Sequence, residues 1–404
     1  MKFSVPSVLA MASCLTAIVN AQDEAAQLSS LMSDAANKIL AQLAADEVAS
    51  AKRGVKASCT VKNIAIRREF GSLAPLERKA YTNAVLCLQM KTNLTPLTLI
   101  PGARSRYDDF VATHQNQTGF IHFSGTFLGW HRYYVWSYEQ ALRNECGYTG
   151  YQPYWEWSKW ADSPQTSPMF DGSEYSMGGN GEFINHTGIV IPPPVAGVNP
   201  TVYLEPGFGG GCVQSGPFAN MTVNLGPIGP AGGLIINGTD TNAPTGPDGG
   251  FGYNPRCLKR DVGPFCLQKY NNYTRIYNLM TLRKTIKDFQ DDLEGPVGTG
   301  DLGPHGGGHF TIGGDPGGDL FTSPGDPAFY LHHAQVDRVW TLWQAIDPET
   351  RQYSLSGTNT MLNDPPSANT TLTDYINLGY AAGLPLQMKD VMSSVAGPFC
   401  YIYI

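Results

Sequence analysis

The chain has 404 residues, 42% of them hydrophobic and 11% aromatic, enough to bury one large core or two ordinary ones. Its formal net charge is −7 and no run of Lys and Arg exceeds two residues, which argues against nucleic acid or an anionic membrane surface as partner. Charged residues make up only 15%, whereas glycine (45) and proline (29) are abundant, so long loops are expected.

The opening stretch, MKFSVPSVLAMASCLTAIVNA, runs from Lys2 through apolar residues to Ala21, the pattern of a secretory signal cut before Gln22. It is too short to span a bilayer, and no later segment is long enough, so a secreted, extracellular protein without a membrane partner is expected. Seven Asn-x-Ser/Thr sequons agree with that route: Asn93, Asn116, Asn185, Asn220, Asn237, Asn272 and Asn369. Once Cys14 leaves with the signal, seven cysteines remain, which predicts three disulfides and one free thiol. They contain no C-x-x-C, so a zinc ribbon or a thioredoxin-like site is excluded.

Residues 23–50 repeat apolar positions at spacings of three and four and lack Gly and Pro, the mark of one amphipathic helix. It stops at the dibasic pair Lys52-Arg53, so the segment 22–57 is either a removable pro-segment or a plain N-terminal helix. A helix-rich core begins near Cys59, with helices over 74–91, where Pro75 sits in the first turn, and over 126–146. Between about 161 and 265 the chain turns to Gly- and Pro-rich loop with short β-like runs, a long insertion over the helical core. Helical pattern returns over 273–294 and, most strongly, over 326–346.

The eight histidines are clustered. His114, His122 and His131 fall within eighteen residues, and His305, His309, His332 and His333 within twenty-nine; only His186 stands apart. No matching cluster of Cys or carboxylates accompanies them, which points to an all-imidazole metal site. Seven clustered rings exceed what one catalytic metal takes, so three from each cluster would hold a pair of metals. His305 and His309 face one way if HGGGH opens a helix, and its glycines would leave open space beside the metal. The HExxH glutamate is missing, Gly306 standing in its place, and no GKS or GKT follows, so zincin and phosphate-loop readings fail.

The segments HQNQTGFIHFSGTFLGWHRYYVWSYEQAL and HGGGHF with DPAFYLHHAQVDRVWTLWQ resemble the two copper motifs of the type-3 copper proteins: tyrosinases, catechol oxidases and haemocyanins. The likeness covers most of residues 59–404. It is nearest to short secreted fungal polyphenol oxidases, which share the opening IRREFGSLAPLERKAY (66–81) and a terminal Y-x-Y, here Tyr401 and Tyr403. The resemblance implies a mainly α fold: a four-helix-bundle core holding a dicopper site, with long Gly/Pro-rich loops and a few short β-strands, in a catalytic domain over 58–404. It implies His114, His122 and His131 on one copper and His305, His309 and His333 on the other. His333 is chosen over His332 because the family's ligand stands four residues before the aspartate, here Asp337. His332 would then line or support the cavity, and Asp337 would orient nearby groups. Two copper ions, with O2 as co-substrate, would oxidise small phenolic substrates, catechols to o-quinones, and the chain is expected to be a monomer or weak dimer.

Departures from the family pattern refine this. Asp301 and Gly306 stand where the family is thought to hold a basic water with Glu or Gln and Asn, which favours diphenolase over monophenolase activity. If neighbouring groups hold that water instead, the chain is a tyrosinase with monophenol hydroxylase or o-aminophenol oxidase activity; an oxygen carrier of haemocyanin type is the remaining alternative. Phe120 replaces the cysteine that many members link to the second histidine. Leu320 replaces a bulky aromatic gate, implying an open pocket. With no lid domain after Tyr403, any latency is expected to come from residues 22–53.

Overall fold

The computed structural model describes residues 5–54, 56–191, 200–228, 233–241 and 244–404, with side chains of the first helix from Gln22 onward. The signal expected at 1–21 lies outside the described side chains.

Helix α1 spans Val5–Lys52 and presses Leu28, Met32, Ala35 and Ala36 into the main core, packing on the helices Tyr273–Leu282 and Ala328–Ile346. Helix α2 (Pro75–Met90) starts as expected at Pro75, and the Glu77 carboxylate accepts the Ala74 N–H at 2.8 Å. Helix α3 (Arg106–Ile121) has no counterpart among the predicted helices. Its start is a reciprocal cap: Ser105 Oγ accepts the Asp108 N–H (3.2 Å) and Asp108 accepts the Ser105 N–H (2.9 Å). Helix α4 (Phe127–Cys146) ends at Gly147, whose φ of 68° is the left-handed stop that glycine takes without cost.

The helical stretch predicted over 273–294 is two helices. After the short α5 (Phe265–Tyr270), α6 runs Tyr273–Leu282 and α7 runs Ile286–Glu294. Thr285 breaks the run because its hydroxyl accepts the Asp288 N–H (3.2 Å) and caps a new helix. Helices α8 (Gly303–Ile312) and α9 (Ala328–Ile346) follow.

The central bundle is α3, α4, α8 and α9. Helix α4 packs on α9, α2 and α3, while α8 is braced by α5 and α7 and touches α9. Helix α9 is buried along nearly its whole length, with Trp340 and Trp343 in the core, which is why its sequence shows no polar face.

Strands are short, and the described ones pair only in twos. In the insertion, Gly181–Phe183 pairs with Gly210–Val213 and Ile189–Ile191 with Val202–Leu204, both antiparallel. The insertion is tied to the bundle by Arg260, fully buried and bidentate on Asp326 at 2.7 Å through each nitrogen. The strand Ala65–Arg67 pairs in parallel with Tyr401–Tyr403, so the start of the core meets the end of the chain. Disulfide Cys59–Cys400 closes the same junction; Cys87–Cys146 joins α2 to α4, and Cys212–Cys257 lies in the insertion. Cys266 is free and buried, which completes the expected three bridges and one thiol among the described cysteines. No described helix is long and apolar enough to cross a membrane.

Candidate metal centre

Four helices bring the two histidine clusters together. His114 projects from α3, His122 follows its last residue, and His131 comes from the first turns of α4. The Nδ1 of His114 lies 2.8 Å from the Phe321 carbonyl oxygen, that of His131 2.8 Å from Phe127 and that of His122 3.2 Å from Thr118. A carbonyl oxygen only accepts, so each Nδ1 carries the proton and each Nε2 keeps its lone pair. The Nε2 atoms of His114 and His131 are buried without a protein partner. The ligand atoms of the three rings lie within 4.8 Å of one another.

The second cluster converges more tightly. His309 Nε2 is 3.2 Å from His305 Nε2 and 3.1 Å from His333 Nε2. The clusters face each other: the His131 and His333 rings stack at 4.4 Å, and His122 lies over His305 at 6.0 Å. Burial lowers the pKa of every one of these rings, His122 to about 4 and His309 to about 3, with the His122 imidazole adding to the shift at His309. The same cause holds His114, His131, His305 and His333 well below the ordinary value. Neutral rings with converging Nε2 atoms, those of His114 and His131 without any protein partner, and no thiolate in either group, are a donor set that fits two copper ions.

His332 is engaged elsewhere. Its Nδ1 accepts the Trp157 indole N–H at 3.1 Å, and its ring stacks on that of His305. The glycines of HGGGH differ from one another. A Cβ on Gly308 would fall 2.2 Å from the His332 ring, and one on Gly307 would fall 2.2 Å from Asn271 Oδ1. Those two let α8 pack closely instead of leaving space beside the metal, which corrects that expectation. Gly306 alone faces the cavity, its nearest neighbour being Leu302 Cβ at 3.0 Å from an added Cβ.

A cavity of about 260 Å³ adjoins His305 and His309. Gly306, Leu320 and Asp301 all line it, as do Ile191, Val202 and Ile228 from the insertion. Among the described residues, none of those lining it belongs to α1 or to residues 53–54, so residues 22–54 do not line the cavity beside the histidines. Asp301 is already occupied: one oxygen accepts the Gly303 N–H (2.8 Å) and the other pairs with Arg275 (3.2 Å). Phe120, at the position of the family's linked cysteine, is exposed.

Glu294, the last residue of α7, also lines the cavity and was not singled out from the sequence. Burial raises its pKa well above the ordinary value, against the opposing pull of hydrogen bonds from the Phe123 N–H (2.7 Å) and the Gln290 side chain. Phe123 directly follows His122 and has φ 45°, a conformation an aromatic residue takes only under constraint. The sequence did carry a signal: Glu294 falls eight residues after Ile286, on the same apolar stripe as Phe289, Gln290 and Leu293.

Below the second cluster, Asp337 is a hub. Its carboxylate accepts Arg132 Nε–H (2.6 Å), Tyr401 OH (2.6 Å) and Tyr403 OH (2.7 Å), with Arg67 at 3.6 Å. Burial alone would raise this carboxyl, but the two guanidinium groups and two hydroxyls hold it below the usual range. The terminal Tyr-x-Tyr thus anchors the chain end to the helix that carries His333.

Two facing clusters of imidazole on a helical bundle fit a dinuclear copper centre of the type-3 kind. Residues 104–346 match the family described as the common central domain of tyrosinase, and the chain belongs to that family. It is 43% identical over 311 residues to a tyrosinase-like protein of Emericella nidulans, covering 76% of this chain and 81% of that one. It is 40% identical over 339 residues to tyrosinase P of Aspergillus terreus, covering 84% and 91%. It is also 38% identical over 360 residues to the N-acetyl-6-hydroxytryptophan oxidase of Emericella nidulans, covering 85% and 93%. A solved variant of the polyphenol oxidase of Thermothelomyces thermophila superposes with a TM-score of 0.86 at 49% identity, covering 93% of this chain and 97% of that one. The protein is therefore a copper oxidase enzyme of the tyrosinase family, which implies a dinuclear copper centre.

Proposed function

We propose that the chain is a secreted o-diphenol oxidase, converting catechols to o-quinones, with His114, His122 and His131 on one copper and His305, His309 and His333 on the other. The observation that carries this is the pair of neutral, mutually facing histidine clusters, buried except for the half-buried His309, beside a cavity of phenol size. Two copper ions bound there would supply the redox chemistry, passing four electrons from two catechols to one O2, which leaves as two waters. The protein's own part is positional. Backbone carbonyls of Phe321, Thr118 and Phe127 fix the tautomers of the first triad, and Trp157 fixes His332 behind His305. A catechol ring entering the cavity meets apolar walls at Leu320, Ile228 and Val202.

Monophenol hydroxylation needs a group to take the phenol proton at the cavity. Gly306 offers no side chain, and the Asp301 oxygens are spent on Arg275 and Gly303. Burial favours the protonated form of Glu294, so its carboxyl is a poor base as it stands. All three support diphenolase over monophenolase. A monophenol-oxidising tyrosinase remains the second reading, favoured by the relative whose printed substrate, N-acetyl-6-hydroxytryptophan, carries a single ring hydroxyl. Leu320 on the cavity wall and three disulfides support an open substrate pocket and an oxidising compartment.

The test is oxygen uptake by copper-loaded protein on 4-tert-butylcatechol and on 4-tert-butylphenol. Fast uptake on the catechol with little on the phenol is expected. Equal rates would make the enzyme a tyrosinase, and reversible O2 binding without turnover on either would make it a carrier.

A further inference from the structure

Apart from the histidines, the ionisable side chains lining the cavity are all acidic: Glu294, Asp301 and Asp319, of which Asp301 and Asp319 supply the negative charge, and no Lys or Arg lines it among the described residues. The remaining wall is mostly apolar, from Ile191 and Val202 in the insertion to Leu302, Phe310 and Phe321. Asp319 is anchored: it accepts N–H groups of Ile228 (2.7 Å) and Phe321 (2.8 Å) and the Thr322 hydroxyl (2.8 Å). The nearest balancing cation, Arg275, stands behind Asp301 and is shared with Asp292, which it contacts at 2.6 Å. A substrate tail entering this space thus finds apolar surface and negative charge, with no guanidinium or ammonium group to receive an anion.

We propose that this cavity selects phenols whose ring substituent is neutral and apolar or carries an amine, and rejects those bearing a carboxylate, with Asp301 and Asp319 as the residues that set the discrimination. This rests on the reading of the chain as a phenol oxidase and names the substrate class of that site. The physical reason is desolvation without compensation. A carboxylate leaving water for an apolar cavity must find a cationic partner or hydrogen-bond donors, and the donors here are already used by Asp301 and Asp319. Like charge at the wall adds Coulomb repulsion, which is larger at low effective dielectric than in water. An alkyl tail meets neither cost, and an ammonium tail gains a partner. The cavity volume, about 260 Å³, is just under the usual range for small-molecule pockets, so it suits one ring and a short chain.

The experiment compares three catechols of matched length on copper-loaded enzyme at pH 7.5 and low salt: 4-propylcatechol, dopamine and 3-(3,4-dihydroxyphenyl)propionate. The acid is expected to show kcat/KM at least about tenfold below the propyl compound, equivalent to about 1.4 kcal/mol, with the difference mainly in KM. Dopamine should match or exceed the propyl compound. Two variants test the residues in opposite directions. Asp301→Asn should narrow the acid-to-propyl gap, and Arg275→Gln, which unmasks Asp301, should widen it. Copper content and melting temperature of both are measured alongside. An acid oxidised within threefold of the propyl compound, or a gap that neither variant moves, overturns the proposal. Failure to oxidise 4-propylcatechol at all would overturn the phenol-oxidase reading itself, and the selectivity with it.

Discussion

Replacing Asp337 by Asn tests whether the hub beneath His333 holds the bundle together. The change keeps volume and one acceptor oxygen but removes the charge. Arg67 keeps a second carboxylate, Glu139 at 2.9 Å, whereas Arg132 is left with neutral partners only: the Val391 carbonyl, Thr341 and Gln344. Breaking a buried pair by neutralising one member costs about 3–5 kcal/mol, because the other charge stays buried. The neutral acceptors around Arg132 place this case near the lower end, at about 3–4 kcal/mol. With an unfolding entropy of about 2.1 cal/mol/K per residue, a chain of 404 residues loses about 4–5 °C in melting temperature. Since both partners are fully shielded, 1 M NaCl should leave the difference unchanged. No partner of Asp337 is a histidine, so the proposed copper content of two per chain should be unchanged. The assay is a thermal melt of copper-loaded wild type and variant at low and high salt. A loss under 1 °C, or one that salt abolishes, would refute the reasoning.

Other perturbations separate the remaining roles. Gly308→Ala puts a methyl group 2.2 Å from the His332 ring, and the displaced ring should disturb His305 and cut copper from two per chain toward one, read by metal analysis. His333→Ala should likewise leave one copper, whereas His332→Asn should keep two; the reverse pattern would exchange their roles. Cutting after the exposed Arg53 and removing residues 22–53 should not raise activity, since none of them lines the cavity. It should lower the melting temperature, because Leu28, Met32 and Leu43 each lose about 1.5–3 kcal/mol of burial. Burial pushes the Cys266 thiol up to about 12 from 9.0, so its protonated form is favoured on folding; that stability is full below pH 9 and is lost as pH rises through 12. At pH 9 iodoacetamide should label the Cys266 peptide only after unfolding, as peptide mass spectrometry would show.

The histidine clusters were legible from spacing because imidazoles are scarce in this chain and seven of the eight gather in two short windows. The helices over 74–91, 126–146 and 326–346 were legible from periodicity and from Pro75. Helix α3 was not, since Tyr107, Asp108, Asp109 and Gln115 are buried on it and blur any apolar stripe. The break at Thr285 was hidden because a capping hydroxyl inside a helical run looks like an ordinary polar residue until the backbone turns. The roles of Gly307 and Gly308 were unreadable for a different reason. What a missing side chain makes room for is a property of the facing helices, here Asn271 on one side and His332 on the other. The Asp337 hub joins residues up to about 336 positions apart, beyond the reach of any local pattern.

The junction between strand Ala65–Arg67 and strand Tyr401–Tyr403, locked by Cys59–Cys400, has a mechanical consequence. Force applied through handles at residues 57 and 404 runs across the covalent bridge and bypasses the bundle. The chain between the bridged cysteines, a separation of 341 positions, forms a closed ring that carries no tension while the bond is oxidised. Reduction would convert the same molecule into one that lengthens by about 1,150 Å when pulled, at about 3.4 Å per residue. The helices that carry the histidine clusters are thus shielded from stretching by a single sulfur–sulfur bond.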